Sequence, residues 1–127
     1  MKNLFVLFFV LFSLLACHGT TLNEAQAVHA IMGESSGECY QGKLWVACII
    51  RNRHSLKGIY GANVSQAWLD RQPLKAKRDA IKAWHESQKY DVTHGCMMFG
   101  NLQDDHYFIG KLHLKPFRTI GHQRFYK

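Results

Sequence analysis

The stretch Ile31-Met32-Gly33-Glu34-Ser35-Ser36-Gly37-Glu38, followed six residues later by Leu44-Trp45-Val46-Ala47-Cys48-Ile49-Ile50, decides how this chain reads. Upstream of it, Asn23 and Gln26 have the spacing of a capping box, in which the two side chains satisfy orphan amides at a helix start. Ala25, Val28, Ile31 and Met32 then recur at helical spacing, which predicts a helix through about residue 33. Gly33 and Gly37 bracket Glu34-Ser35-Ser36, so this helix is expected to end in a glycine-punctuated loop. The second half of the stretch predicts a helix from about Lys43 to Arg53. Its seven apolar residues leave no polar face, and such a helix is buried and central.

Working outward, residues 54–73 read as irregular, with Gly58, Gly61 and a short turn near Ser65–Leu69. Pro73 opens a third helix through about Gln88, proline being favoured at the first helical turn. Its apolar stripe is Leu74, Ile81 and Trp84, with Lys75, Lys82 and Glu86 outside. From Asp91 the character changes. Cys96-Met97-Met98-Phe99 and Arg118–Tyr126 read as two short strands joined by a long connection. The expected architecture is α+β, mostly helical, with a short β-hairpin or small antiparallel sheet near the C-terminus.

The length of 127 residues fits one domain. Hydrophobic residues make up 47% of the chain, but thirteen of them fall in residues 1–16. The remainder has the composition of an ordinary small globular domain. With a net charge of +7, this excludes an acidic disordered chain, a multi-span membrane protein and a multidomain enzyme. Lys2 precedes an apolar run from Leu4 to Ala16 broken only by Ser13. That run is shorter than the roughly 20 residues a membrane-spanning helix needs. A positive start, a short apolar stretch and a small residue at its end describe a secretory signal over residues 1–16, ahead of a domain over 22–127. Leu14-Leu15-Ala16-Cys17 resembles the bacterial lipobox. Two outcomes stay open: a lipid on Cys17 that attaches the protein to a membrane, or plain cleavage near Ala16 or Gly19. In either case the protein is expected to be exported, to the periplasm or cell envelope.

Export bears on partners and on cysteines. The positive charge fits attraction to an anionic cell wall, and nucleic acid is a poor partner for an exported chain. Disulfides persist outside the cytosol, so Cys39 has Cys48 or Cys96 as a partner, and spacing chooses neither. Cys48, inside the apolar helix, reads as a small buried hydrophobe. That placement argues against a cysteine peptidase built on Cys48 or Cys96. No His or Cys pair has HExxH or CxxC spacing, so neither a metal nor another cofactor is expected. The chain is read as a monomer.

The chemistry concentrates at Glu34. A carboxyl set where a helix gives way to a glycine loop, beside apolar residues, has its charged form disfavoured by desolvation. A carboxylic acid kept protonated near neutral pH can donate to a leaving-group oxygen.

Gly33-Glu34-Ser35-Ser36-Gly37-Glu38, then Gln41-Gly42 and the helix ending Asn52-Arg53, resembles the SleB-type cell-wall hydrolase family, which includes the spore-cortex-lytic enzymes. A second block, Asp91-Val92-Thr93-His94-Gly95-Cys96-Met97-Met98-Phe99, is similar to that family's Asp-Pro-Thr-x-Gly-Ala-x-x-Phe. A third, Thr119-Ile120-Gly121-His122-Gln123-Arg124-Phe125-Tyr126, is similar to Ile-Gly-x-His-x-Phe-Tyr. The resemblance implies a lysozyme-like domain that cleaves the glycan strands of peptidoglycan, in the family's best-known members as a lytic transglycosylase. It implies that Glu34 is the general acid/base. Glu38 either holds the loop or assists at the cleft. Thr93 and Gly95 shape the cleft floor, Thr93 with a substrate contact, and Phe99 and Tyr107 stack on sugar faces. Trp45, Trp68 and Trp84 are packing anchors, Trp45 the one best placed to line the cleft, and Asp104 and Asp105 are solvated turn residues.

The departures are Ser36 for the motif arginine, Val92 for the proline, Cys96 for the alanine and Gln123 for the histidine, with His122 standing one place early. Gln123 must then act by neutral hydrogen bonding. A degenerate scaffold of this kind also accommodates a second reading, a non-catalytic peptidoglycan-binding envelope lipoprotein.

Overall fold

A computed structural model describes residues 22–127; the secretory signal expected over residues 1–16, and Cys17, lie outside the described residues. Helix α1 (Glu24–Ser35) is followed by α2 (Tyr40–Arg53), a 3-10 turn (Tyr60–Asn63), α3 (Gln66–Asp70) and α4 (Leu74–Ser87). The rest of the chain comprises β1 (Met98–Asn101), a 3-10 turn (Leu102–Asp104), a π-helical turn (His106–Lys111), β2 (Pro116–Ile120) and β3 (Gln123–Tyr126). The α+β class holds, with helices first and a small antiparallel sheet at the C-terminus.

Helix α1 starts where its cap residue stands. Asn23 Oδ1 accepts the Ala25 N–H at 2.8 Å, so the cap engages the second helical residue rather than the third that a capping box uses. The helix runs past Gly33 to Ser35, which places Glu34 in the last helical turn and not in the loop. Gly33 is tolerated there because its missing side chain gives way to another backbone. Helix α2 begins at Tyr40, earlier than the apolar run alone indicates, and every residue from Gly42 to Ile50 is buried. Its end is tied to α4: Arg51 lies 3.6 Å over the Trp84 ring, and its Nε donates to Ser87 Oγ at 2.8 Å.

Helix α4 buries Ala76, Ala80, Ala83, Trp84 and Ser87, an alanine-rich face that packs close to α2. Leu74 does not join that stripe; it stands 74% exposed. Ala76 is two positions further on, about 200° around the helix, so the two side chains point nearly opposite ways.

Two strands were expected and three form. Residues 118–126 are not one strand but a hairpin, with Gly121 and His122 in the turn, and β3 sits between its neighbours in the order β1-β3-β2. Phe125 packs on Trp45 at a ring separation of 4.9 Å, and the next residue, Tyr126, stacks on Phe108 at 4.6 Å. A central strand covered on both faces carries large side chains in succession, which hides the hairpin from a period-two reading.

No disulfide links Cys39, Cys48 and Cys96, which corrects the expected bridge. Cys39 caps α2 and Cys48 lies nine residues along it, roughly 13 Å of helical rise, against the 7 Å that a disulfide spans between Cα atoms. Cys48 and Cys96 are buried, and Cys39 is exposed. A thiol reagent added to the protein isolated without reductant should therefore find one fast-reacting thiol beyond Cys17 in the native state and three after denaturation. Fewer than three on denaturation would reveal a bridge.

Candidate active site

The site is built by two glycines facing each other. A Cβ on Gly33 would overlap the Gly61 carbonyl, and one on Gly61 would lie 2.5 Å from Glu34 N, 2.6 Å from Ala30 O and 2.7 Å from Glu34 Cγ. Only bare backbone on both sides lets the Tyr60–Asn63 turn press onto the end of α1. The approach has a chemical consequence, since the Gly61 N–H donates to Glu34 Oε1 at 2.7 Å. Burial pushes the Glu34 carboxyl above its ordinary range; the Gly61 and Tyr60 backbone N–H groups oppose this and do not cancel it. Glu34 thus presents a half-buried acid that favours its protonated form.

Glu34 opens onto a cleft of about 490 Å³. Tyr60 and Ile59 form one wall beside it, and Phe99, Asn101, Tyr107 and Phe108 stand on the walls from β1 and the π-helical turn, with Arg53 and Asp104 also on the lining. Gln123 reaches it from β3. Phe99, Tyr107 and Gln123 are therefore gathered with Glu34 on one cleft, and Glu38, Thr93 and Gly95 are not on its lining. A cavity of about 710 Å³ between α1, α3 and α4 has Val28, Met32, Leu69 and Ile81 in its walls and holds none of the candidate residues.

Glu38 is the loop-holding residue. Its carboxylate accepts the His122 backbone N–H at 3.3 Å and lies 3.2 Å from His122 Nδ1, with Glu38 12% and His122 93% exposed. Gly121, at φ +56, takes a left-handed turn conformation that favours glycine, and a Cβ there would push the Glu38 carboxylate away from His122. Lys43, buried in α2, closes the loop from below by donating to Glu38 O at 2.5 Å and Ser36 O at 3.3 Å. Burial lowers its pKa. Two bonds to loop carbonyls explain a lysine inside an otherwise apolar helix.

Thr93 is fully buried, which corrects the expected substrate contact. It belongs to a polar node around Asp91. The Asp91 carboxylate accepts from Thr93 N at 2.8 Å, Thr93 Oγ1 at 2.6 Å, Gly95 N at 2.8 Å and Asn52 Nδ2 at 2.9 Å. Burial raises its pKa, but these donors outweigh burial and hold it below the ordinary carboxylate range. Gly95 sits at φ +88 with open space around it, so it shapes the turn rather than a cleft floor. Asp91→Ala strands several donors at once and should cost about 2 kcal/mol of stability. Urea denaturation at neutral pH checks this. Because the folded pKa lies below the unfolded one, the difference between wild type and variant is present above the ordinary value and shrinks as pH falls through the folded value.

Trp45 is 2% exposed and packs on Phe125, so it acts as a packing anchor that supports the sheet from below. A fully apolar helix carries its tryptophan into the core along with its neighbours. Trp84 is buried as an anchor, and Trp68 is only partly so. Asp104 and Asp105 are not simply solvated. Asp104 Oδ2 accepts the Asn101 N–H at 2.9 Å and the residue lines the cleft; Asp105 binds Arg124 and the Tyr126 hydroxyl. Burial raises both buried thiols, Cys48 to about 11, the opposite of an activated nucleophile. Sequence reading did not place Gly61, Tyr60, Arg53 or Lys43 at the site, and it read Asp104 as a solvated turn residue. Gly61 and Lys43 carried signals: a glycine in an irregular segment marks close backbone approach, and a charge in an apolar helix demands partners.

A helical α+β domain with a desolvated glutamic acid at the wall of a cleft is a lysozyme-like arrangement. Among solved structures, the chain is similar to the catalytic domain of the germination-specific lytic transglycosylase SleB from Bacillus anthracis, at 23% identity and a TM-score of 0.58, over 82% of this chain and 93% of that one. It is similar also to the catalytic domain of the Bacillus cereus SleB protein, at 25% identity and a TM-score of 0.55, over 82% of this chain and 89% of that one. No protein-family model and no curated protein matches the chain. The SleB-type fold implied by the three sequence blocks is the fold the chain has.

Proposed function

We propose that this chain is an exported cell-wall glycosidase that cleaves the N-acetylmuramic acid–N-acetylglucosamine backbone of peptidoglycan as a lytic transglycosylase, with Glu34 as its single general acid/base. The observation that carries the reading is the Glu34 carboxyl itself. It is raised by burial, fixed through one oxygen by Gly61 and set on the wall of a cleft in a SleB-type fold. In the first step protonated Glu34 donates to the glycosidic oxygen as the bond to the muramic C1 breaks. Glu34, now a carboxylate, takes the proton from the muramic 6-hydroxyl. That oxygen closes onto C1 to give the 1,6-anhydro sugar, and the acid is restored. One carboxylate serves both steps, unlike retaining hydrolysis with two carboxyl groups about 5–5.5 Å apart.

Two likenesses support the substrate class: the catalytic-domain fold of a lytic transglycosylase and the aromatic side chains of Phe99, Tyr60 and Tyr107 on the cleft lining. The export segment and the net positive charge agree with an envelope location, and a lipid on Cys17 would keep the domain at a membrane. Digestion of purified peptidoglycan followed by mass spectrometry tests the reading. Anhydro-muropeptides are expected; reducing-end products without anhydro sugar would indicate hydrolysis, and no released fragments would remove the enzymatic reading.

A further inference from the structure

The amide of Gln123 occupies an unusual position. The residue is 5% exposed, yet Oε1 of its side chain has no hydrogen-bond partner. Its Nε2 donates at 3.0 Å to the backbone oxygen of Glu34. That oxygen belongs to the last turn of α1, where carbonyls have no partner within the helix. The turns beside it are already tied off: Ser36 N donates to Met32 O at 2.9 Å, and Glu38 N to Ser35 O at 3.0 Å. Gln123 therefore supplies a missing bond at the residue that carries the acid, from a strand 89 positions away. The orientation of the amide follows, because only the nitrogen can face a carbonyl. A side chain chosen for packing alone would not leave Oε1 orphaned, since a methionine fills similar space without a buried polar atom.

We propose that Gln123 is a positioning residue for the acid: it locks the Glu34 backbone to β3 and does so with a group that carries no charge at any working pH. An ionisable group in its place would couple its own titration to that of Glu34. The neutral amide leaves Glu34 to titrate against burial and the Gly61 and Tyr60 N–H groups. This deepens the reading of Glu34 as the general acid and rests on it.

The test measures kcat, KM and the pH profile on purified peptidoglycan for wild type, Glu34→Gln, Gln123→Met, Gln123→His and Gln123→Glu. Wild type active and Glu34→Gln inactive establish the underlying reading; if wild type releases nothing, that reading fails before Gln123 is judged. With activity established, Gln123→Met should lower kcat by about tenfold or more with KM little changed, because the acid loses its placement while the cleft walls remain. Its melting temperature should stay close to wild type, since one orphan acceptor is exchanged for another. Gln123→His, which keeps an N–H donor, should recover much of kcat and add a second ionisation to the pH profile. Gln123→Glu sets a like charge beside the acid and should move the alkaline limb of the profile upward. An unchanged kcat in Gln123→Met, or a loss confined to KM, would overturn the proposal. So would parallel loss of melting temperature and activity in all three Gln123 variants with an unmoved profile, which marks a structural role only.

Discussion

Glu34→Gln should lower the release of anhydro-muropeptides by about 10²–10⁴-fold, the range that a positioned general acid/base contributes. The fold should survive. Glu34 opens on the cleft, and glutamine keeps both the length of the side chain and an oxygen to accept the Gly61 N–H. Binding to insoluble peptidoglycan should be retained, so a pull-down that loses binding together with activity would point to misfolding and not to chemistry. The same carboxyl fixes the sign of the pH dependence. Burial raises its pKa above the ordinary 4.5, and the first step needs the protonated form. Cleavage by wild type should therefore fall as pH rises through the raised value. Stability follows in the same direction. The folded chain binds this proton more tightly than the unfolded chain, so the contribution is complete below the unfolded pKa and is lost as pH rises through the folded one. Glutamine has nothing to ionise. The melting temperature of Glu34→Gln should thus improve relative to wild type between pH 4 and pH 8, and a constant difference would contradict a raised Glu34.

Gly61→Ala should be strongly damaging. The added methyl meets backbone at 2.5 Å and 2.6 Å and the Glu34 Cγ at 2.7 Å, and backbone cannot rotate away as a flexible side chain can. The Tyr60–Asn63 turn must lift from α1, and overpacking of this kind costs about 3 kcal/mol. For a domain of this size the melting temperature should drop by about 10 °C or more. Activity should fall further than stability accounts for, because lifting the turn breaks the Gly61–Glu34 hydrogen bond and opens the acid to water, which lowers its pKa. The pH profile of any residual activity should accordingly move to lower pH. Gly37→Ala is the matched control. Gly37 has nothing within 4 Å of an added Cβ and no positive φ, so its substitution should leave stability nearly unchanged. Thermal melts of the two variants side by side decide the matter. Equal effects would mean that the two-glycine contact does not hold the site.

Local patterns carried much of this protein. The helix before Glu34, the buried helix after it and the proline-started α4 were legible because helical periodicity and end signals need no distant partner. Glu34 was legible as the candidate acid because its motif is contiguous. The two strands near the C-terminus were visible as apolar segments, but the hairpin within residues 118–126 was not, since β3 is covered on both faces and has no alternation to read. Trp45 was legible as a packing anchor, but its exact placement was not. Its helix has no polar face, so sequence could not say whether the ring meets the cleft or the core.

What sequence determined by itself was the order of elements, the α+β class and the residue able to act as an acid. What only the tertiary structure decided was the environment that makes it one. Gly61 reaches Glu34 across 27 residues, His122 reaches Glu38 across 84 and Gln123 reaches Glu34 across 89. Each contact depends on close backbone approach or a single buried hydrogen bond, neither of which leaves a periodic trace along the chain. A carboxyl becomes a proton donor near neutral pH through desolvation, and desolvation is a property of everything packed around it.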